Sequence, residues 1–299
     1  MSNPTQQAWR QWASGVALVD AMDKLFVVGC PKSGTTWPMN LLNGHPQACV
    51  RGEGKHGWVL LPMLEQVANA YNQHGWDPDP VTRLDTGGLQ ALARTHIDAA
   101  LLKYLQSEGE KSGDVTLVGD KTPQNAVRMH ELAVLFPEAK FVHVVRNPLD
   151  AAWSAWHHLG PQDGRPMPAY VRHFLAEVWP ANVGPAHEAA QALGPDRCLE
   201  IKYEDLAADP EPVARKLLGF LGLSADDARV ADCLRSADFA TRSGGRAPGQ
   251  EDPAHHYRKG VVGDGQANLP HDVVAQCLPA MAALMQAYGY RFEPAVAAA

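Results

Sequence analysis

Short apolar runs alternate with amphipathic stretches along much of the chain, and a turn closes each run. Four runs have the length and composition of buried strands, at residues 25–29, 115–120, 140–146 and 198–203. Each is followed by apolar residues at helical spacing, which predicts helices at 36–43, 124–135, 149–158 and 212–221. Strands that alternate with helices are typical of a mostly parallel sheet covered on both faces. The pattern therefore predicts an α/β three-layer sandwich.

Two long segments interrupt this alternation. Residues 54–112 are predicted to be mostly helical, with a loop at 73–80, and we interpret them as an insertion that walls a substrate pocket. Residues 241–270 are rich in glycine, proline and charge, and a loop of this length usually has a function, here as a lid. An amphipathic helix is predicted at 271–288. We interpret residues 1–299 as one domain.

Composition narrows the class of protein. Apolar residues make up 45% of the 299 residues and charged residues 20%, which is ordinary for a globular protein with a buried core. The formal net charge of -7 argues against a nucleic-acid-binding surface. No apolar run approaches the ~20 residues of a membrane span, the amino terminus lacks a secretory pattern, and the cysteines lack metal-ligand spacing. We therefore expect a cytoplasmic protein without a nucleic-acid or membrane partner.

The candidate chemistry lies where the predicted strands end. The sequences PKSGTT, DKTP, RNP and YEDL each follow one of the four strands. Ligands of open parallel sheets bind beyond the carboxyl ends of the strands. These four segments are therefore predicted to meet in one site.

The segment VVGCPKSGTTW, at 27–37, has the character of a phosphate-binding loop with a displaced lysine. Gly29 and Gly34 have the separation of the G-x-x-x-x-G-K-[ST] pattern, but a threonine occupies the lysine position and the lysine is Lys32. A glycine-bearing turn at a helix N-terminus presents backbone N–H groups to an anion, and Lys32 adds a full charge. The neighbouring hydroxyl donors are Ser33, Thr35 and Thr36.

PKSGTTW resembles the 5′-phosphosulfate loop of the sulfotransferases that use 3′-phosphoadenosine 5′-phosphosulfate (PAPS) and release adenosine 3′,5′-bisphosphate (PAP). The resemblance implies a P-loop-like fold and a lysine, Lys32, that reaches the oxygen bridging phosphorus and sulfur, with no Mg²⁺ to hold. The cofactor-binding residues that it implies in this loop are Lys32, Ser33, Gly34, Thr35, Thr36 and Trp37.

Two further segments resemble motifs of the same family. In VVRNPLDAAWS, at 144–154, the resemblance assigns Arg146 and Ser154 to the 3′-phosphate, and an arginine fork can bind phosphate in bidentate fashion. In RKGVVGDG, at 258–265, it assigns a lid over that phosphate, although Gly265 stands where the family often has tryptophan. The lid residues assigned in this way are Arg258, Lys259 and Gly260.

The choice of general base rests on two segments. Small-molecule members of the family have a histidine in a K-T-H segment, whereas this chain has Lys121, Thr122 and Pro123. The GDKTP form resembles the glycan and tyrosyl-protein branches and many bacterial members, in which a glutamate after an H-P pair is the base. That glutamate is Glu53 here, and the resemblance implies that Lys121 assists Lys32 at the transferring group.

Three further assignments concern the rest of the site. Lys55 is a candidate for holding an acidic part of the acceptor, His56 is the reserve base, and Tyr203 resembles a tyrosine that lies near the adenine. The histidine pairs at 157–158 and 255–256 lack metal-ligand companions at suitable spacing, so we predict no metal site.

The resulting hypothesis is a PAPS-dependent sulfotransferase that acts on a hydroxyl, less readily an amine, by in-line displacement. The acceptor is a small molecule, a sugar or a tyrosyl hydroxyl, and the oligomeric state is left open. The alternative is a P-loop nucleotide kinase or nucleotide hydrolase, which requires a lysine at position 35 and an acidic Mg²⁺ ligand, for which Asp120 is the candidate. A non-catalytic nucleotide-binding module would need the anion sites but not Glu53.

Overall fold

The computed structural model describes residues 3–74, 80–252 and 255–292. Within them the strands are β1 Asp23–Gly29, β2 Ala48–Arg51, β3 Leu117–Lys121, β4 Lys140–Val145 and β5 Cys198–Lys202. The α-helices are α1 Pro4–Asp20, α2 Thr36–Leu42, α3 Leu61–Gln73, α4 Thr86–Gln106, α5 Met129–Leu135, α6 Pro148–Asp163, α7 Met167–His173, α8 Trp179–Leu193, α9 Tyr203–Ala208, α10 Pro210–Leu221, α11 Asp227–Ala237, α12 Phe239–Ser243, α13 Asp264–Asn268 and α14 His271–Ala287. Short 3₁₀ segments span Pro80–Thr82, Gly109–Gly113 and Pro123–Arg128, and π-helical turns span His56–Leu60 and Phe174–Val178.

The five strands form one parallel sheet in the order β2-β3-β1-β4-β5. This confirms the predicted α/β class with a mostly parallel central sheet. In the centre of the sheet, Val27 lies opposite Lys121 on one side and Val142 on the other. The carboxyl ends of β1, β3 and β4 therefore meet at one edge, where the phosphate-loop, DKTP and RNP segments follow them.

The two faces of the sheet bury different side chains because residues alternate along a strand. On β1, Phe26 and Val28 pack against helices α1, α4, α5 and α8, whereas Leu25 and Val27 pack against α2, α9, α10 and α11. These four side chains are fully buried. The continuous apolar run that predicted β1 is thus explained by burial on both faces, as parallel sheets require.

Strand β2 was not predicted, because its four residues are too few to show a period. It lies at the edge of the sheet, and only β3 pairs with it among the described strands. The side chain of Asn43, which follows α2, accepts a hydrogen bond from the Val50 N–H (2.9 Å) and donates one to the Val50 carbonyl (2.8 Å). The chain that leaves β2 then leads directly to residue 53.

Several predicted boundaries differ from the structure. The helix predicted at 124–135 begins as a 3₁₀ segment, and the strand predicted at 198–203 ends one residue early because Tyr203 begins α9. Helix α6 continues to Asp163, beyond the predicted end at 158. The helical content of 54–112 is confirmed, although residues 75–79 of the predicted loop at 73–80 lie outside the described residues.

Helix α4 has a different position from the one expected of a pocket wall. Its residues Ile97 and Leu101 are fully buried in the core cluster that also holds Phe26. The segment 54–112 therefore supplies one of the helices that cover the sheet. Within the described part of the chain, no helix is long and apolar enough to cross a membrane.

Candidate active site

A cavity of about 380 Å³ opens at the carboxyl ends of the strands. The loop after β1, the end of β3, the arginine after β4 and the tyrosine after β5 all line it. The lid segment covers it from the other side. The residues of this lid that line the cavity are Pro248, His256, Tyr257, Arg258, Lys259, Gly260 and Val261. The structure thus brings all four strand-end segments together, as their positions in the sequence predicted.

The loop after β1 has a backbone shape that depends on Gly34. Lys32 and Gly34 both have positive φ angles, 69° and 88° respectively. A Cβ atom at Gly34 would also lie 2.4 Å from Cδ2 of Tyr203, a separation that two carbon atoms do not tolerate. Glycine is therefore required at this position both for the backbone conformation and for the close approach of the tyrosine ring.

Two buried polar atoms near the cavity lack a partner within the described residues. Ser33 is fully buried and its Oγ makes no hydrogen bond, and the same is true of Nε of Arg146, a side chain that is 8% exposed. A buried polar group without a partner costs about 1–3 kcal/mol. Arg146 lines the cavity, whereas the structure does not bring the predicted cofactor residue Ser33 to the cavity lining.

Arg146 is held in place from three directions. Its guanidinium lies 4.2 Å from the centroid of the Tyr203 ring, and it donates to the carbonyls of Lys32 (3.2 Å) and Val261 (3.3 Å). Its own carbonyl accepts from the indole N–H of Trp179. Ser154, two turns along α6, lines the same cavity. The arginine and serine of the predicted motif are thus brought together with the lid.

The lid cations are paired with carboxylates of the same segment. Lys259 donates to Oδ1 of Asp264 at 2.7 Å, and Arg258 donates to both Asp264 and Glu251. The lid therefore carries its positive charges in a fixed arrangement. An anion that binds here would share these cations with the two carboxylates.

Asp150 anchors the lid to helix α6. Its carboxylate accepts from the backbone N–H of Gly263 and of Gly265, each at 2.7 Å. A Cβ atom at Gly265 would lie only 2.1 Å from the carbonyl oxygen of Leu149. The position where the family often has tryptophan thus packs directly on the helix backbone, which explains why glycine stands there.

We expect the Asp150→Ala variant to bind PAP about tenfold more weakly than the parent protein. The change removes two charge-assisted hydrogen bonds that position the lid, each of which contributes about 1.5–3 kcal/mol, and part of this loss is recovered by solvent. The measurement is the PAP dissociation constant by calorimetry. Asp163→Ala, at the exposed end of the same helix, is the matched control. Equal affinities in the two variants would contradict the anchoring role.

The buried carboxylate of Asp120 accepts four hydrogen bonds. Its Oδ1 accepts from the Thr122 hydroxyl (2.7 Å) and the Asn125 amide (3.1 Å), and its Oδ2 accepts from the Gly54 N–H (2.8 Å) and the Tyr104 hydroxyl (3.2 Å). The side chain is fully buried and does not line the cavity. Oδ2 thus holds the loop after β2 and Oδ1 holds the segment after β3, so this side chain is not placed as the metal ligand that the kinase alternative requires.

Glu53 and Lys121 form a pair that faces the cavity. Lys121 Nζ donates to Glu53 Oε1 at 2.7 Å, with 9% of the lysine side chain and 38% of the glutamate side chain exposed. Both line the cavity together with Lys32. The three predicted catalytic residues therefore lie in one cavity, although they are far apart in the sequence.

Lys55 and His56 do not reach this cavity. Lys55 is exposed, and its backbone N–H donates to Thr122 Oγ1 at 3.1 Å. His56 is fully buried with Nε2 3.7 Å from Oδ2 of Asp120, and burial lowers the pKa of its imidazole. The ring packs beneath Gly54. The structure therefore does not bring His56, the predicted reserve base, or Lys55, the predicted acceptor ligand, to the cavity lining, and both assignments stay predictions.

The cations around the loop repel one another. Burial, and then the charges of Arg146 and Lys121, lower the pKa of Lys32 to about 8. The protonated form of Lys32 therefore lacks the counter-charge that it would have with an anion in the cavity. This electrostatic state favours a strongly anionic ligand.

Among the cavity-lining side chains that sequence reasoning missed, four are aromatic. They are His158 on α6, Phe239 at the start of α12, and His256 and Tyr257 in the lid. The two histidines belong to the pairs that received no role, yet His158 follows the serine of one phosphate motif by four residues and His256 precedes the arginine of another by two. The position of each histidine beside a predicted phosphate motif was thus the signal in the sequence that could have identified it as a cavity residue.

Comparisons with known proteins agree with this geometry. A family model described as the sulfotransferase family matches residues 24–227. A protein-tyrosine sulfotransferase of Drosophila melanogaster is 25% identical over 69% of this chain and 39% of its own length. The omega-hydroxy-beta-dihydromenaquinone-9 sulfotransferase Stf3 of Mycobacterium tuberculosis is 32% identical over 34% of this chain and 28% of its own length. The chain thus spans well under half the length of these two relatives.

A solved structure extends the similarity to the whole fold. The crystal structure of mouse sulfotransferase SULT7A1 complexed with PAP is similar with a TM-score of 0.54 and 19% identity, over 91% of this chain and 89% of that one. At this identity the likeness concerns the fold, a P-loop-like α/β sandwich. Because the family model covers more than half of the chain, including the phosphate loop, Glu53, Lys121, Arg146 and Tyr203, this protein belongs to the sulfotransferase family.

Proposed function

We propose that this protein transfers the sulfuryl group of PAPS to an acceptor hydroxyl and releases PAP. The observation that carries the proposal is that Lys32 and Arg146 line one cavity. Lys32 lies in the loop assigned to the 5′-phosphosulfate, and Arg146 lies in the motif assigned to the 3′-phosphate. A nucleotide with anionic groups at both positions would bind both cations.

In this proposal the bridging oxygen between phosphorus and sulfur leaves as the S–O bond breaks, and the acceptor oxygen bonds to sulfur from the opposite side. Glu53 takes the proton of the acceptor hydroxyl. Lys32 and Lys121 stabilise the negative charge that builds on the bridging oxygen and the transferring group. The hydrogen bond from Lys121 to Glu53 holds the carboxylate at the cavity wall. No metal takes part in this scheme.

The nucleotide would lie across the cavity between the phosphate loop and the motif that contains Arg146. Trp37 and Tyr203 form an edge-to-face pair with ring centroids 5.8 Å apart, and both line the cavity. The Thr35 and Thr36 hydroxyls and the loop backbone would bind the 5′-phosphate, and Ser154, Lys259 and the Gly260 backbone would bind the 3′-phosphate. These contacts are proposals that rest on the motif resemblance and on the shared cavity.

The acceptor is a small-molecule, sugar or tyrosyl hydroxyl. The named activities of the relatives, on protein tyrosine and on a hydroxylated dihydromenaquinone, support hydroxyl acceptors of different size. We also propose that the protein is cytoplasmic and bacterial. All five cysteines are free and buried, which supports a reducing compartment.

The test combines binding with turnover. Thermal melting is measured with PAP, ADP, ATP and ATP plus Mg²⁺, since a ligand at about 1,000 times its dissociation constant stabilises by about 4 kcal/mol. We expect the largest shift with PAP. Radiolabelled PAPS is then offered with 4-nitrophenol, N-acetyltyrosine amide and N-acetylglucosamine, with water as the baseline acceptor. Stabilisation by ATP plus Mg²⁺ but not by PAP would instead support the kinase alternative.

A further inference from the structure

His256 occupies a distinctive place in the lid. It lines the cavity, and its Nε2 lies 3.4 Å from Oγ1 of Thr36 in the phosphate loop. Its ring stands edge-to-face with that of His158, with centroids 5.7 Å apart. Two imidazoles on separate elements therefore meet above the loop that carries Lys32.

The residues beside His256 are fixed. The hydroxyl of Tyr257 accepts from the Asn40 side chain at 2.6 Å, and its carbonyl accepts from Arg246 at 2.6 Å. Arg246 also binds the carbonyl of Arg258 at 2.9 Å. These bonds hold the lid backbone to α2 and to the start of the lid, so the orientation of His256 does not depend on a free loop.

His256 lines the same cavity as Lys32 and Lys121. Loss of solvent lowers the pKa of His256 to about 4, and the charges of Lys32 and Lys121 contribute to that shift. These are the two lysines that the proposed function places at the transferring sulfuryl group.

We propose that His256 is a further catalytic residue, which donates a hydrogen bond from its ring to a sulfuryl oxygen during transfer. The proposal rests on the proposed function of the same cavity. The sulfuryl group carries negative charge on its three outer oxygens in a loose transition state. Lys32 and Lys121 cover the leaving side, and a neutral imidazole N–H supplies a donor from the lid without adding another cation.

A consequence is that the lid does more than retain the nucleotide. In this proposal Arg258 and Lys259 bind the 3′-phosphate, whereas His256, two residues earlier, contacts the transferring sulfuryl group. One segment would thus join recognition of the nucleotide to completion of the transfer site. PAP lacks the sulfuryl group and would not make the His256 contact.

The test compares His256→Ala and His256→Gln with His255→Ala, the neighbouring histidine that does not line the cavity. Transfer from PAPS is measured to water and to the best acceptor of the panel, and PAP affinity is measured by calorimetry. We expect the alanine variant to lose turnover about 100-fold while PAP affinity changes less than about threefold. Glutamine, whose Nε2 can reach the same region, is expected to restore most of the turnover.

Two outcomes would overturn the inference. One is turnover in His256→Ala equal to that of His255→Ala. The other is a loss of PAP affinity that matches the loss of turnover, which would assign the residue to lid structure alone. If the parent protein itself neither binds PAP nor consumes PAPS, the proposed function fails, and that result is distinguishable because it appears before any variant is made.

Discussion

Replacing Lys32 with methionine is expected to lower turnover about 1,000-fold, the upper part of the range for removing one preorganised donor from a developing oxyanion. The side chain lines the cavity next to Lys121 and Glu53 and lies in a loop whose backbone fixes its direction. Methionine keeps the length and packing of the chain but removes the charge. The measurement is the rate of PAPS consumption at saturating PAPS.

The control for this change is Lys55→Met. Lys55 is exposed and does not line the cavity, so turnover should stay within about twofold of the parent rate. A comparable loss in both variants would show that general surface charge, and not the position of Lys32, determines the rate.

The same lysine predicts a pH dependence of binding. Because the pKa of Lys32 is lowered to about 8 in the ligand-free protein, the side chain loses its proton as pH rises through that value. An anionic nucleotide binds the protonated form, so PAP affinity should fall as pH rises above about 8. In Lys32→Met this part of the dependence should disappear, which calorimetry at several pH values would show.

Replacing Glu53 with glutamine is expected to lower turnover about 1,000-fold, within the usual range for a general base. Glutamine retains an oxygen that can accept the hydrogen bond of Lys121, so the pair keeps its geometry while the base is lost. PAP affinity should change little, because Glu53 makes none of the proposed contacts to the two phosphates. The measurement is turnover and PAP affinity in the same preparation.

Glu65→Gln is the matched control, since Glu65 pairs with Arg128 on the surface, outside the cavity. Intact turnover in Glu53→Gln would contradict the base assignment. A parent protein that binds PAP but shows no turnover with any acceptor, water included, would instead favour a non-catalytic binding module.

Much of the fold was predictable because the central strands are buried on both faces and therefore consist of long apolar runs. Strand β4 was predicted within a residue of its bounds, and β1, also in the interior of the sheet, was predicted two residues short at its start. Strand β2 was missed because an edge strand of four residues buries too few side chains to leave a pattern. The segment at 54–112 was predicted helical, but its packing against the sheet depends on contacts that no local pattern encodes.

The lining of the cavity at the phosphate loop was more predictable from the sequence than its lining around Glu53. Phosphate loops need glycine, hydroxyls and a cation at close spacing, so Lys32 and its neighbours are visible in the sequence. His56 lies three residues from Glu53, yet one is fully buried and the other faces the cavity. That difference arises from Asp120, which holds the loop from another strand 66 residues away and cannot be read from local spacing.

The side chain of Asn43 has a consequence for the behaviour of the protein at high concentration. An edge strand normally offers its free N–H and C=O groups to a strand of another molecule, which promotes aggregation. At β2 the side-chain amide of Asn43 already bonds both the N–H and the C=O of Val50, a fully buried residue of this edge strand. The strand that leads to Glu53 is therefore protected against pairing with a strand of a second molecule. Loss of the Asn43 amide would leave the N–H and C=O of Val50 unpaired, at the edge of the sheet that precedes Glu53.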